Sequence, residues 1–316
     1  PPRSTLFPYT TLFRSKPNEY AYGQSPRVLT SLDLDQKMLT DDPMVNSVEC
    51  AVFIQCVGSR EADRPYCSRV CCTHSVESAL ELKKRNPDAN VFILYRDIRT
   101  YGERERKYIE ARKAGIIFMR YSVDNKPTIT ANEDSVTIET IDHVLGLPVE
   151  IEADILTLAT AIVPNKEEQL AQFFKVPMNA EGFFIERHAK LGPSEFATDG
   201  VFLSGLAHYP KPIDEAVAQG KAAASRAVAL LAQGTVTTNG EVASIAPMTC
   251  SSCGSCVAIC PYSAPSFIEG GRFAGKSEIN SALCKGCGLC VSSCRSGAIR
   301  LNGYDNDQIF AMIDAI

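Results

Sequence analysis

VECAVFIQCVG, residues 48–58, is an apolar run of strand length, and it is the stretch that decides the fold class. SVESALELKKRNP, residues 75–87, follows with the apolar spacing of a helix stopped by its final proline, and NVFILYRDI, residues 90–98, is a second apolar strand. A helix over residues 104–116 and a strand over residues 116–122 continue the alternation. Strands that alternate with helices predict a parallel sheet and an α/β fold.

Three further segments extend this pattern towards the C-terminus. Residues 135–144 and 149–165 are predicted to form hairpin strands, and the second segment resembles the element that returns to the FAD domain in reductases with two dinucleotide-binding domains. Val201–Ser204 is a short predicted strand, followed by Gly205 and an alanine-rich helix over residues 214–232. This strand, turn and helix are similar to the C-terminal FAD motif of those reductases. An ordinary strand–turn–helix with a packed alanine face is the alternative.

Composition limits the class of protein. The chain has 316 residues, 45% of them hydrophobic and 22% charged, which is enough to build two or three globular domains. Its formal net charge of -5 gives no basic surface, so nucleic acid is not an expected partner. A membrane-spanning helix needs an apolar run of about 18 residues, and the sequence contains no run of that length. We therefore expect no membrane span.

The cysteines fall into two groups. Five lie between residues 50 and 72, and eight lie between residues 250 and 294, giving an odd total of 13. A disulfide framework would be spread along the chain and even in number. Local clustering therefore favours metal binding.

CSSCGSCVAICP, residues 250–261, and CKGCGLCVSSC, residues 284–294, share the spacing C-x2-C-x2-C-x3-C. Two such runs are typical of a bacterial-type ferredoxin with two [4Fe-4S] clusters, in which the fourth cysteine of each run ligates the other cluster. Crossed ligation assigns one cluster to Cys250, Cys253, Cys256 and Cys294, and the other to Cys284, Cys287, Cys290 and Cys260. A pair of zinc knuckles is the alternative, but zinc gives no reason for the doubled x3-Cys spacing.

The N-terminal segment has a different character. Residues 1–15 begin with Pro and repeat TLF, with no helical or strand period that continues into the following chain. We interpret them as a non-native tail and exclude them from the fold; a native disordered tail is the alternative.

Taken in order, these motifs resemble the A-subunit family of heterodisulfide reductases and its bacterial homologues, over residues 16–316. The motifs that carry the resemblance are IQCVGSR, PYCSRVCC, YRDIRTYG, LATAIVPN, GVFLSGLAHYPKPIDEAVAQGKAAA and the two ferredoxin runs. The resemblance implies a fragment of a thioredoxin-reductase-like flavoprotein with two dinucleotide-binding domains, extended by an α+β ferredoxin domain. The implied domains are an inserted dinucleotide-type domain with a [4Fe-4S] loop at 16–160, the C-terminal part of an FAD domain at 161–233, and the ferredoxin domain at 234–316.

The family also has a further [4Fe-4S] cluster in the inserted domain. The resemblance assigns this third cluster to Cys56, Cys67, Cys71 and Cys72. Cys56 ends the predicted strand, while the adjacent pair opens the predicted helix, whose N-terminal dipole favours an anionic cluster. A zinc site or a set of reactive thiols is the alternative.

The resemblance further implies FAD contacts at Gly205, Leu206, Ala207, Lys211 and Ile213. Leu206 stands where the family commonly has an acidic residue, and the family places a lysine near the flavin at the position of Lys211. No G-x-G-x-x-G occurs in the chain. Because that turn holds the FAD pyrophosphate in this fold, we expect the chain to supply half of a flavin site and to lack the N-terminal unit.

The expected function is electron transfer, with no residue acting as a nucleophile or general acid. The family implies a cytoplasmic, flavin-based electron-bifurcating complex with B and C subunits, a hydrogenase or formate dehydrogenase module, and ferredoxin. Two alternatives stay open: a non-bifurcating subunit that feeds a quinone or sulfur-oxyanion reductase, and a ferredoxin-type carrier without flavin. Flavin content of the full-length protein separates the carrier from the other two functions.

Overall fold

A computed structural model of the chain describes residues 13–14, 16–165, 168–174, 176–198, 200–233, 240–281 and 283–316. Contacts divide the chain into two compact units, one of residues 1–165 with 205–216, the other of residues 166–204 with 217–316. The segment interpreted as a non-native tail lies outside the described residues except for Phe13–Arg14, which form a short strand.

The first unit alternates strands and helices. Its elements in chain order are β1 (Phe13–Arg14), β2 (Val28–Thr30), α1 (Ser31–Leu39), α2 (Pro43–Asn46), β3 (Cys50–Val57), α3 (Cys71–Arg85), β4 (Asn90–Tyr95), α4 (Glu105–Lys113), β5 (Ile117–Arg120), β6 (Thr128–Ala131), β7 (Val136–Ile141), β8 (Pro148–Ala153), β9 (Ile155–Thr160) and β10 (Ile162–Val163).

A five-stranded parallel sheet in the order β2-β9-β3-β4-β5 forms the centre of this unit, which confirms the α/β prediction. The central strands β3 and β9 are buried almost throughout, as expected for strands covered on both faces. On one face, α1, α2, α3 and α4 pack through residues such as Leu34, Val76 and Ala111. On the other face, the antiparallel sheet β6-β7-β8 packs through Val136, Ile138 and neighbours. The unit is therefore three layers deep.

The segment 149–165 differs from the predicted hairpin strand. Its first half, β8, does pair antiparallel with β7, but after Asp154 the chain enters the parallel sheet as β9, between β2 and β3. The Asp154 carboxylate accepts the backbone N–H groups of Glu49 and Cys50 at 2.7 and 2.8 Å. The Asp154 side chain thus stabilises the turn at which the chain passes from the antiparallel sheet to the parallel sheet.

The second unit contains the predicted ferredoxin region. Its elements, numbered on, are α5 (Glu168–Phe174), α6 (Ile213–Leu231, whose first turn is counted with the first unit), β11 (Ala243–Ile245), α7 (Ser255–Ile259), β12 (Pro265–Phe267), β13 (Ser277–Ile279), α8 (Leu289–Ser292), β14 (Ile299–Leu301) and α9 (Asn306–Asp314). The start of the predicted ferredoxin domain, residues 234–239, lies outside the described residues. The predicted helix 214–232 is confirmed as α6, but the predicted strand Val201–Ser204 is only a single bridge from Phe202 to Glu195.

The ferredoxin region is built from two similar halves. Strand β11 precedes the first cysteine run and pairs with β14, which follows the second; β12 follows the first run and pairs with β13, which precedes the second. A small core of Ala243, Cys256, Cys290 and Ile299 joins the halves. Each of these two-stranded antiparallel sheets therefore contains one strand from each half.

No helix within the described ranges has the length and apolar character to cross a membrane.

Candidate cofactor sites

Two cavities in the ferredoxin region collect the eight cysteines in two sets of four. One cavity is lined by Cys250, Cys253, Cys256 and Cys294. A second cavity is lined by Cys260, Cys284, Cys287 and Cys290. Each set contains three cysteines of one run and the fourth cysteine of the other. The fold thus brings together the two sets that crossed ligation requires, and four thiolates are the donor set of a [4Fe-4S] cluster.

The backbone around each cavity depends on glycine. Gly254 and Gly288 adopt left-handed conformations, with φ of 74° and 76°, directly before α7 and α8. Gly286 has φ of 65°, and a Cβ atom there would lie 2.2 Å from the Glu241 carbonyl oxygen. Glycine is the one residue that avoids both the strained φ and this contact.

A buried hydroxyl at the first cavity supports the fit of a cluster. Ser277 lines this cavity with a side chain only 1% exposed. Within the described part of the chain its Oγ makes no hydrogen bond of ordinary geometry, although it lies close enough to Cys250 to help lower the pKa of that thiol. A buried polar atom without a partner is costly. A hydroxyl group can donate to a thiolate or sulfide, so a bound cluster would satisfy it.

The thiols of the two cavities have different proton affinities. The backbone N–H of Ser277 lowers the pKa of the Cys250 thiol, and hydrogen bonding to Ser255 lowers the pKa of Cys253 to about 7. Burial, reinforced by the nearby Cys284, raises the pKa of Cys290 to about 11. Because iron binds the thiolate form, binding at the buried positions must release protons.

The four cysteines assigned to the third cluster lie in one region of the first unit. We call residues 56–72 the cysteine loop. Cys56 lies near the end of β3, while Cys71 and Cys72 are the first two residues of α3, as predicted. These three are buried, and Cys67 is partly buried. The pKa of Cys72 is raised to about 11 by burial and by the neighbouring Cys56 and Cys67, so three of the four thiols are electrostatic neighbours.

Cys71 lies against the end of strand β9. Its Sγ is 3.8 Å from the backbone oxygen of Thr160. The Thr160 and Thr73 hydroxyls are buried and have no hydrogen-bond partner among the described residues. Thr73 directly follows Cys72 and the Thr160 backbone lies against Cys71, so both hydroxyls belong to residues next to the thiols. Four thiols in one region are the donor set of an iron–sulfur cluster. Outside this set, Cys50 is half-buried and packs beside the core under β6-β7-β8.

No three His, Cys, Asp or Glu side chains in the described ranges are close enough together to bind a single metal ion. The cysteines of the ferredoxin region instead lie around the walls of their cavities.

The residues predicted to contact FAD lie in a segment, residues 205–216, that packs with the first unit; we call it the flavin segment. Gly205 has φ of 68° and begins a 3-10 turn that contains Leu206 and Ala207. Lys211 is only 8% exposed, and its Nζ lies 3.1 Å from His208 Nδ1. Ile213, which begins α6, is 82% exposed.

The first turn of α6 carries two acidic side chains, Asp214 and Glu215, each paired with an arginine. Asp214 is bonded to Arg104, and Glu215 to Arg69 at 3.0 Å. Carboxylates at a helix N-terminus would repel a second anion there, but the two arginines offset their charge. The turn therefore carries little net charge.

Arg69 and the buried cation Arg96 are site residues that the sequence patterns did not identify. Arg96 is 6% exposed and bonds the Glu61 carboxylate and the Arg60 backbone oxygen, which lies in the cysteine loop. The position of Arg69 between Cys67 and Cys71 was a signal in the sequence, whereas Arg96 only follows strand β4. Neither was identified because a charged residue in a loop is usually solvated.

Comparison with known proteins identifies the family of the chain. Residues 249–299 match the family model of a 4Fe-4S dicluster domain. The chain is 33% identical to the iron-sulfur A subunit of the CoB–CoM heterodisulfide reductase of Methanocaldococcus jannaschii, over 94% of this chain and 47% of that protein. It is 36% identical to the A subunit of the H2:CoB-CoM heterodisulfide,ferredoxin reductase of Methanothermobacter marburgensis, over 94% of this chain and 46% of that protein. The chain belongs to the heterodisulfide reductase A-subunit family.

Members of the heterodisulfide reductase A-subunit family are oxidoreductases, and this chain spans about half the length of the curated relatives it matches. Solved structures with a similar fold include thioredoxin reductase of T. acidophilum, with a TM-score of 0.45 and 14% identity over 71% of this chain and 64% of that one. Another is an NAD-dependent persulfide reductase of A. fulgidus, with a TM-score of 0.44 and 18% identity over 75% of this chain and 40% of that one.

Proposed function

We propose that this chain is the C-terminal part of a flavin and iron–sulfur subunit that transfers electrons within a heterodisulfide-reductase-like complex. The observation that carries the proposal is the pair of cavities, each lined by three cysteines of one run and one of the other. The proposed cofactors are three [4Fe-4S] clusters and an FAD for which this chain supplies half of the site. When bound, such clusters exchange single electrons and a flavin exchanges two.

The contribution of the protein is position and environment. In this proposal, Cys56, Cys67, Cys71 and Cys72 hold the third cluster, and the eight ferredoxin cysteines hold the other two. The burial of Cys56, Cys71 and Cys72 limits access of water to the thiols. The buried ammonium of Lys211, in the flavin segment, would stabilise negative charge on a flavin bound beside Gly205, Leu206, Ala207 and Ile213.

We further propose that the complex bifurcates electrons from a two-electron donor to ferredoxin and to a disulfide. The Methanothermobacter marburgensis relative is named for both acceptors, and the Methanococcus maripaludis relative is named for H2 and formate as well. The partners proposed on this basis are the B and C subunits, a hydrogenase or formate dehydrogenase module, and ferredoxin. The relatives also suggest a role in methanogenesis. A cytoplasmic location is proposed because iron–sulfur ligation needs the cysteines reduced.

Anaerobic reconstitution with iron and sulfide tests the cofactor assignment. Three clusters predict about twelve irons per chain, and Cys71→Ala should lower this to about eight while the two ferredoxin clusters remain. Cys50→Ala is the matched control, because Cys50 is a cysteine of the same strand region outside the set; it should retain about twelve. Unchanged iron in Cys71→Ala would show that the third-cluster assignment is wrong.

Bifurcation itself is tested in the assembled complex. Reduction of ferredoxin by the two-electron donor should require the disulfide acceptor at the same time. If ferredoxin is reduced at the same rate without the disulfide, the complex does not bifurcate.

A further inference from the structure

Arg69 connects the cysteine loop to the flavin segment. It lies between Cys67 and Cys71 in a left-handed conformation, with φ of 61°, which is uncommon for a residue with a side chain. Its backbone N–H donates to Cys67 Sγ at 3.3 Å. The backbone of Arg69 is therefore part of the immediate surroundings of the thiol.

The guanidinium group of Arg69 reaches the other segment. It donates to the Tyr101 hydroxyl at 2.6 Å, lies 3.0 Å from the Glu215 carboxylate, and lies 3.5 Å from the Pro210 backbone oxygen. Its Cζ also lies 5.3 Å from the centre of the Tyr101 ring. The Tyr101 hydroxyl bonds Glu215 in turn, so the three side chains form a closed triangle.

A second contact joins the same two parts of the chain. Tyr66, next to Cys67, packs its ring edge-to-face against Tyr209, with ring centres 6.0 Å apart. The Tyr66 hydroxyl donates to the Ile162 backbone oxygen at 2.8 Å, and its backbone oxygen accepts from Ser59 at 2.7 Å. Tyr66 is thus fixed at both ends, and the flavin segment meets the cysteine loop at two points.

We propose that Arg69 is a positioning residue that couples occupancy of the third cluster to the order of the flavin segment. With Cys67 held by a cluster, the Arg69 backbone is fixed and its guanidinium holds Glu215 and Pro210. Without the cluster, the cysteine loop and the strained φ of Arg69 can relax, and the hold on the flavin segment weakens. The inference rests on the proposed third cluster.

Amide hydrogen exchange of peptides covering residues 205–216 tests the coupling in the reconstituted chain. Arg69→Gln should accelerate exchange there by roughly two- to fivefold, the effect of losing one partly exposed ion pair. Glu215→Gln should also accelerate exchange, and the double variant should exceed Arg69→Gln only slightly, because both single variants already remove the Arg69–Glu215 ion pair. Arg112→Gln is the matched control, since Arg112 also lies over a tyrosine ring but belongs to the last turn of α4, outside the cysteine loop and the flavin segment.

Removing the clusters gives the decisive comparison. Wild-type chain without clusters should exchange faster in the flavin segment than the loaded chain, and Arg69→Gln should show no such difference. The inference is overturned if the loaded and the cluster-free wild type exchange at the same rate. It is also overturned if Arg69→Gln and Arg112→Gln exchange at the same rate. In either case an iron content of about twelve per chain would leave the proposed function standing. Wild-type iron of about eight, which is measured before exchange, would overturn the third-cluster assignment and this inference with it, while the two ferredoxin clusters would remain.

Discussion

Gly286→Ala should damage the ferredoxin region far more than Gly288→Ala, although the two glycines are two residues apart. Both have positive φ, 65° and 76°, so either substitution costs roughly 1–2 kcal/mol of backbone strain. A Cβ at Gly288 would meet no atom within 4 Å, whereas at Gly286 it would lie 2.2 Å from the Glu241 carbonyl oxygen. That neighbour is backbone next to β11, so relieving the overlap should cost a further 1–3 kcal/mol, roughly.

The assay is anaerobic guanidinium unfolding of the reconstituted variants, followed by the visible absorption of the clusters. The lower conformational entropy of the unfolded Ala variants is common to both and cancels in their difference. We expect Gly286→Ala to unfold at clearly lower denaturant and to retain less iron. Equal midpoints for the two variants would refute the reasoning, because the carbonyl contact is what distinguishes them.

The cofactor sites support three other predictions. Cys294→Ser should leave Cys250, Cys253 and Cys256 more reactive to iodoacetamide than Cys284, Cys287 and Cys290, as mass spectrometry of the labelled chain can show; preferential labelling of the second run would contradict crossed ligation. Ser277→Ala should lower the midpoint potential of one ferredoxin cluster in an EPR-monitored titration, since a hydrogen bond to sulfur favours the reduced cluster, and the exposed Ser266→Ala should not. Because its 316 residues contain no G-x-G-x-x-G turn, the chain should retain little FAD, and adding the dinucleotide unit of a homologue should produce a flavin spectrum; stoichiometric FAD without that unit would contradict the half-site.

Local patterns in the sequence predicted most of the elements, but not all of their boundaries. The strand predicted over residues 48–58 is β3, Cys50–Val57, because a continuous apolar run fixes a buried strand. Helix α3 begins at Cys71, before the apolar spacing that predicted it. Its N-cap is Val70, which makes no side-chain hydrogen bond, so the usual Ser, Thr, Asp or Asn signal was missing.

Contacts between distant residues could not be predicted in the same way. The pairing of β9 with both β2 and β3 depends on a turn at Asp154 that hydrogen-bonds Glu49 and Cys50. The contact of Arg69 with Glu215 joins residues 146 positions apart. By contrast, the cysteine sets around the ferredoxin cavities could be predicted although each set combines both runs, because two runs of this spacing are typical of a ferredoxin with crossed ligation.

The position of β9 in the sheet also sets an order of events during synthesis. On the ribosome, the cysteine loop emerges well before β9, which later inserts between β2 and β3 and brings the Thr160 backbone to Cys71. At ordinary rates of translation, the four thiols wait for several seconds on an incomplete sheet. Iron supplied during that interval would reach the cysteine loop before β9 lies beside it. Unprotected thiolates are also prone to oxidation. Cluster insertion into this unit is therefore expected to follow the emergence and insertion of β9, and to depend on a carrier that protects the thiols until then.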